Sequence, residues 1–297
     1  MKALAIALKD TKKLLKSPKF YFSLFLASMA IIGLKVLFSA PFLPISPMYW
    51  AQFIFTFSLP CLGLAILISN SDILTSEYSE GTILILFSQP VSNSSIVFGK
   101  FLAMLFSSAV FAGLDTLLIK FLHSYIWEVT GFVSEAQVLV SFFLVAFLFQ
   151  LPIIGLTLLF SSIFKRSATV TIVVILIYEA LAILYASQLV WKVPHNMPAG
   201  MVGIAMLIQT FILLLGSILG YDIVRIAPAL SIKEPEVIKY LPINVNSQRL
   251  LYFLISPNSE IKPTEVIISS SCLLAITAVS LILSLLVIKK KRSEYLD

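Results

Sequence analysis

The amino-acid sequence predicts an all-α polytopic membrane protein, and three observations carry that prediction. Hydrophobic residues make up 59% of the chain and charged residues 12%, with a mean hydropathy of +1.00. A soluble domain carries roughly 25% charged residues, so this chain has too little polar surface to stay in water. The apolar residues also fall in runs of about 20, the length at which a helix crosses a hydrocarbon core of about 30 Å. Finally, Lys and Arg gather at the ends of those runs. The net charge of +6 is therefore read as membrane topology, with no nucleic-acid partner implied.

The first element is a leader, residues 1–19, MKALAIALKDTKKLLKSPK. At about 100° per residue, Lys2, Lys9, Lys12, Lys13 and Lys16 share one side of a helix. Ala7, Leu4, Leu8, Leu14 and Leu15 share the other, Ile6 falls off the pattern, and Pro18 ends the helix. An amphipathic helix lying in the membrane interface is expected, with its lysines among the headgroups. No signal peptide is expected, because Pro41 spoils the small-residue site at Ser39-Ala40.

Spans are expected at Phe20–Ala40, Trp50–Ser69, Phe101–Leu122, Val138–Phe164, Thr169–Val190 and Glu265–Ile288. The leader holds six lysines before Phe20, Lys165-Arg166 joins the fourth and fifth spans, and Lys289-Lys290-Lys291-Arg292 follows the last. Ala40–Tyr49 and His123–Gln137 contain neither Lys nor Arg. This asymmetry puts both termini in the cytoplasm, which requires an even number of crossings. Gly200–Tyr221 is long enough to be a seventh span. The even count instead favours a re-entrant or surface-lying hairpin there, within an external segment, residues 191–264. The whole chain, 1–297, is read as one transmembrane domain in the plasma membrane.

Between the second and third expected spans lies a cytoplasmic segment, residues 70–100, that is more ordered than a loop needs to be. Ser71-Asp72 can cap a helix, Glu77 and Glu80 lie one turn apart, and Ile83, Leu84 and Phe87 extend an apolar stripe. Pro90 stops the helix, and Ser92–Ser95 can start the next, which runs through Gly99-Lys100 into the third span. A short amphipathic helix joined rigidly to two spans is a lever; equally, it is a long loop packed on the bilayer.

The order Glu77, Glu80-Gly81-Thr82, an apolar run, Pro90-Val91-Ser92 and Gly99-Lys100 resembles the cytoplasmic coupling region of type-2 ABC-transporter permeases. The wider plan is similar too. One departure is Asn93, where that family commonly has a basic residue. The resemblance implies the permease subunit of an ATP-driven exporter, paired with a second copy or a homologue. It further implies two cytoplasmic P-loop ATPase subunits docked on a coupling helix. On that resemblance Glu77, Glu80, Gly81, Thr82, Pro90, Val91, Ser92 and Lys100 form the ATPase-coupling set. ATP and magnesium belong to the partner, and no cofactor is expected in this chain. The sequence agrees, having no G-x-x-x-x-G-K-[ST], so it is not expected to be an enzyme.

Asp115 and Glu179 fall inside expected spans. A charge at the centre of a span costs about 2.5–3.5 kcal/mol on insertion scales, so both are candidate pathway residues or structural hydrogen-bonding groups. They define an alternative, an ion-coupled secondary transporter or channel; a non-transporting membrane scaffold is a further one. His123 and His195 lack Cys, Asp or Glu at ligand spacing, so no metal site is expected. Cys61 and Cys272 read as buried unpaired thiols. Pro152, Gly155 and Thr157 weaken the fourth span and permit either a kink or close packing. The Phe-rich spans favour a hydrophobic or amphipathic cargo.

Overall fold

The computed structural model describes residues 2–38, 47–122, 135–190, 246–247, 250, 253–254 and 263–296. Helix α1 is Lys2–Lys16 and α2 is Pro18–Phe38. Pro18 opens α2 at the first helical position, where its missing N–H has no intrahelical partner to lose. Helix α3 is Pro47–Asn70, followed by the short α4 (Asp72–Ser79) and α5 (Ile83–Ser88). The long helices α6 (Asn93–Leu122), α7 (Glu135–Ile163), α8 (Ser167–Val190) and α9 (Pro263–Leu296) complete the described elements.

Four helical stretches among the described residues are long and apolar enough to cross a membrane. They are Ser58–Ser79, Asn93–Phe121, Val138–Ile163 and Pro263–Tyr295. They overlap the second, third, fourth and last expected spans, and the first of them runs past Ser69 to Ser79, into the segment 70–100 expected to be cytoplasmic. The first and fifth expected spans are occupied by α2 and α8. Of the segment 191–264, expected to be external, residues 246–247, 250, 253–254 and 263–264 are described, so the expected Gly200–Tyr221 hairpin and His195 lie outside the described residues, as does His123.

Helix α7 is the centre of the bundle. It packs against α9, α6, α3, α8 and α4, while α2 packs on α3 and α6. Two glycines set close approaches. A Cβ on Gly63 of α3 would lie 2.9 Å from Ile153 Cδ1 of α7, and one on Gly155 of α7 would lie 3.3 Å from Thr277 Cα and Ser280 Cβ of α9. Gly155 is thus a packing contact between α7 and α9. Thr157 Oγ1 donates to its own helix at the Ile153 carbonyl, 2.7 Å away. Outside the core, α2 exposes Tyr21, Phe22 and Phe25 and α9 exposes Ile282 and Leu286, an apolar perimeter suited to lipid or another membrane helix. Cys61 and Cys272 are free thiols, half-buried rather than buried.

The chain reversal between α3 and α6 departs from the expected single helix. Ser71 does not cap. Its backbone is helical, its N–H continues the ladder to Leu67 O at 2.9 Å, and its hydroxyl donates back to Ile68 O at 3.1 Å. Helix α4 is therefore a continuation of α3. The break falls later, at Gly81, which has φ +70° and sits just past the end of α4. There the Glu80 N–H reaches Ser76 O at 2.9 Å, and glycine supplies the left-handed residue that ends a helix with little strain. Helix α5 follows as a separate short element. Ser92 caps α6 as its sequence suggests: the Ser95 N–H donates to Ser92 Oγ at 3.2 Å.

Candidate functional site

The reversal is held from three sides, and its centre is a buried cation. Lys100, 1% exposed, lies about two turns into α6. Its Nζ is 2.9 Å from Glu77 Oε1 of α4, 3.2 Å from Asp10 Oδ2 of α1 and 2.8 Å from the Ile73 carbonyl. Asp10 and Glu77 are themselves buried, at 4% and 7% exposure. Removing a charge from water is unfavourable by several kcal/mol. An ammonium in such a place is retained only where its donors are all engaged, as the three donors of Lys100 are here.

Gly99 explains why α1 comes close enough to supply Asp10. A Cβ on Gly99 would lie 2.7 Å from both Ala3 O and Ile6 Cβ, so only a glycine admits the leader backbone onto α6. The pair Gly99-Lys100 thus acts as one unit, with glycine bringing α1 in and lysine bonding to it.

The leader in consequence has three faces where two are expected. Ala7, Asp10 and Leu14 are buried, with Ile6 packed at their edge; Leu4 and Leu8 stay exposed at 58% and 64%; the lysines form the third face. Ile6, off the pattern of a two-faced helix, is a member of the buried face. Its spacing with Asp10 and the alanines at 3 and 7 was the available signal for the site residue that sequence reasoning missed.

Around the centre lie exposed contacts. Lys13 Nζ donates to Ser76 Oγ at 3.1 Å and to Glu80 Oε1 at 3.3 Å. Lys19 pairs with Asp72, and Lys2 donates to the Pro90 carbonyl at 2.6 Å. Glu77 and Glu80, one turn apart in sequence, therefore do different work. Glu77 is sealed inside; Glu80, in the turn that ends α4, is half-exposed. Likewise Leu84 of the expected stripe points outward at 51% exposure, while Ile83 and Phe87 are buried. Thr82 Oγ1 donates to Glu77 O across the turn at 3.5 Å.

The third side is the end of α9, also missed, because its basic residues read as topology. Arg292 Nη1 donates to Val91 O at 2.6 Å and Asn93 Oδ1 at 2.9 Å, and its Nη2 donates to Gln89 O at 2.9 Å. Lys291 donates to Ile163 O at the end of α7, 2.9 Å, and lies 4.5 Å above the Tyr78 ring. All eight residues of the expected coupling set thus fall in one reversal, gripped by both ends of the chain.

Deeper in the bundle is a second polar set. Ser107 Oγ donates to Asn70 Oδ1 at 3.1 Å, Ser108 Oγ donates to Gln150 Oε1, and Ser58 Oγ donates to Asp115 Oδ2 at 3.3 Å. Asp115 is buried at 2% exposure. Glu179 falls on α8, with its side chain outside the described residues. Among the described residues no group of three or more His, Cys, Asp or Glu is placed to hold a metal.

Apolar helices long enough to cross a membrane, packed as a bundle with a braced reversal at one end, define a multi-pass membrane protein. Its sequence matches the family described as ABC-2 family transporter protein over residues 7–292, nearly the whole chain. The protein belongs to that family and is an ABC-2-type permease. A search of curated proteins finds no match.

Proposed function

We propose that this chain is the membrane-spanning subunit of an ATP-driven exporter, and that residues 70–100 couple it to a separate ATPase. The observation that carries this reading is the Lys100 centre. It ties α1, α4 and α6 into one body, so a force on the exposed turn at Glu80–Thr82 or at Pro90 is delivered to α3 and α6 together. A loop merely resting on the bilayer has no need of a buried ion-paired lysine.

In this reading the fold has six spans, both termini and the reversal face the cytoplasm, and the protein resides in the plasma membrane. Two permease chains, identical or related, flank a path for a hydrophobic or amphipathic cargo that is capped outside by residues 191–264. Two P-loop ATPase subunits bind ATP and magnesium. Co-purification of the tagged chain from nanodiscs tests the reading: a P-loop ATPase is expected at one-to-one and lost on altering Glu80 and Pro90. A single-chain preparation that persists in native-like lipid would sink it.

A second reading, ion-coupled transport, draws on Asp115, whose Oδ1 has no partner among the described residues. It expects ion-dependent flux with no ATPase bound, abolished by Asp115→Asn and indifferent to changes at Glu80.

A further inference from the structure

We propose that α9 is a transmission rod. Arg292 pins its inner end to the Gln89–Asn93 turn, so displacement of that turn travels along α9 to the opposite face of the membrane. The proposal rests on the coupling role given above to the reversal.

The joint is built to transmit. A guanidinium is a rigid planar fork, and here both of its terminal nitrogens hold acceptors on three successive parts of one turn: Gln89 O, Val91 O and Asn93 Oδ1. One residue earlier, Lys291 fixes the same helix to the end of α7 and to Tyr78 of α4. Three residues later, Tyr295 meets Phe87 of α5 with ring centroids 6.0 Å apart. The inner end of α9 is therefore attached to every element of the reversal, whereas a basic tail serving only topology would lie free among headgroups.

The shaft is built to match. Helix α9 is continuous over 34 residues, about 51 Å at the usual rise per residue. After Pro263 it contains neither Pro nor Gly, while α3 and α7 carry Pro60 and Pro152 within them. Sharp kinks arise at such residues, so α9 is the stiffer member. Its Thr277 and Ser280 pack closely on α7 at Gly155, where an added Cβ would lie 3.3 Å from both. Its far end is Pro263, at the opposite end of the bundle from Arg292.

The test uses the permease with its co-purified ATPase in nanodiscs, with Cys61 and Cys272 replaced by Ser. Spin-label pairs report the two ends. Leu84→Cys with Arg166→Cys reads the reversal, and Ile267→Cys with Phe121→Cys reads the far end of α9, all four being exposed positions. In the parent protein, ATP with vanadate is expected to shift both distances. In Arg292→Gln the inner shift is expected to persist and the far shift to vanish. Arg292→Lys, which keeps the charge without the fork and serves if the Gln variant does not fold, is expected to lose at least half of the far shift. A far shift that survives in these variants overturns the rod and leaves the exporter reading intact. So does a parent in which only the inner pair moves. A parent in which neither pair moves overturns both.

Discussion

The Lys100 ammonium lies 3.2 Å from the Asp10 carboxylate, so a residue of the leader and a residue of the first turns of α6 share one buried charge site. Glu77 closes the site from α4 at 2.9 Å. Breaking a buried pair by removing one partner strands the other and costs about 3–5 kcal/mol. Lys100→Ala, which strands two buried carboxylates, is expected to lose about that much stability, read as a lower thermal unfolding temperature in nanodiscs; Asp10→Ala, which leaves Lys100 paired with Glu77, is expected to lose less. The triple replacement Asp10→Leu, Glu77→Leu, Lys100→Met is expected to regain most of the loss. A triple variant less stable than either single one would contradict the account.

Gly99→Val is expected to push the leader off α6, because its Cβ would meet the Ala3 carbonyl at 2.7 Å. Overpacking of this kind costs about 1–3 kcal/mol. The readout is trypsin cleavage at Lys12 and Lys16, which should accelerate. Gly113→Ala on the same helix is the control: nothing lies within 4 Å of its Cβ, and cleavage should not change.

Gly81→Ala probes the backbone alone. No atom lies within 4 Å of the added Cβ, but φ is +70°, and a left-handed non-glycine residue costs roughly 1–2 kcal/mol. Gly81→Asn should fall between the two, since Asn tolerates that region better. Equal stability of all three proteins would mean that the reversal does not turn at Gly81 as described.

Glu80→Ala and Pro90→Ala separate folding from work. The Glu80–Lys13 pair is half-exposed, and such pairs contribute about 0.2–1 kcal/mol. Unfolding temperatures should barely move. Transport per ATP hydrolysed should fall, and an unchanged ratio in both variants would remove the reason to regard this surface as the lever.

That the chain reverses between residues 70 and 100 is legible in the sequence; the break at Gly81 and the bracing are not. The spans at 101–122 and 138–164 follow from apolar length alone, and Pro90 and Ser92 announce the start of α6 by local chemistry that needs no partner. Lys100 and Glu77 stand out by their place in a motif, but a motif does not reveal that a third member of the site comes from ninety residues upstream of Lys100. Asp10 was hidden because a helical wheel sorts residues into polar and apolar, and a buried aspartate counts on the wrong side. Arg292 was hidden by its neighbours: in a run of four basic residues, topology is a sufficient explanation until contacts single one out. The expected cap at Ser71 failed because α3 had no reason to stop. Without glycine or proline there, the ladder simply continues to Gly81.

The span of ninety residues between Asp10 and Lys100 has a consequence for how the protein is made. At synthesis rates of about 5–20 residues per second, Asp10 emerges roughly 5–18 seconds before its partner. For that interval the carboxylate has only the leader's own exposed lysines near it and remains hydrated, since its buried partner Lys100 has not yet been made. The leader reaches its final seat only when α6 is in place. Its docking on Lys100 is therefore a late step of biogenesis.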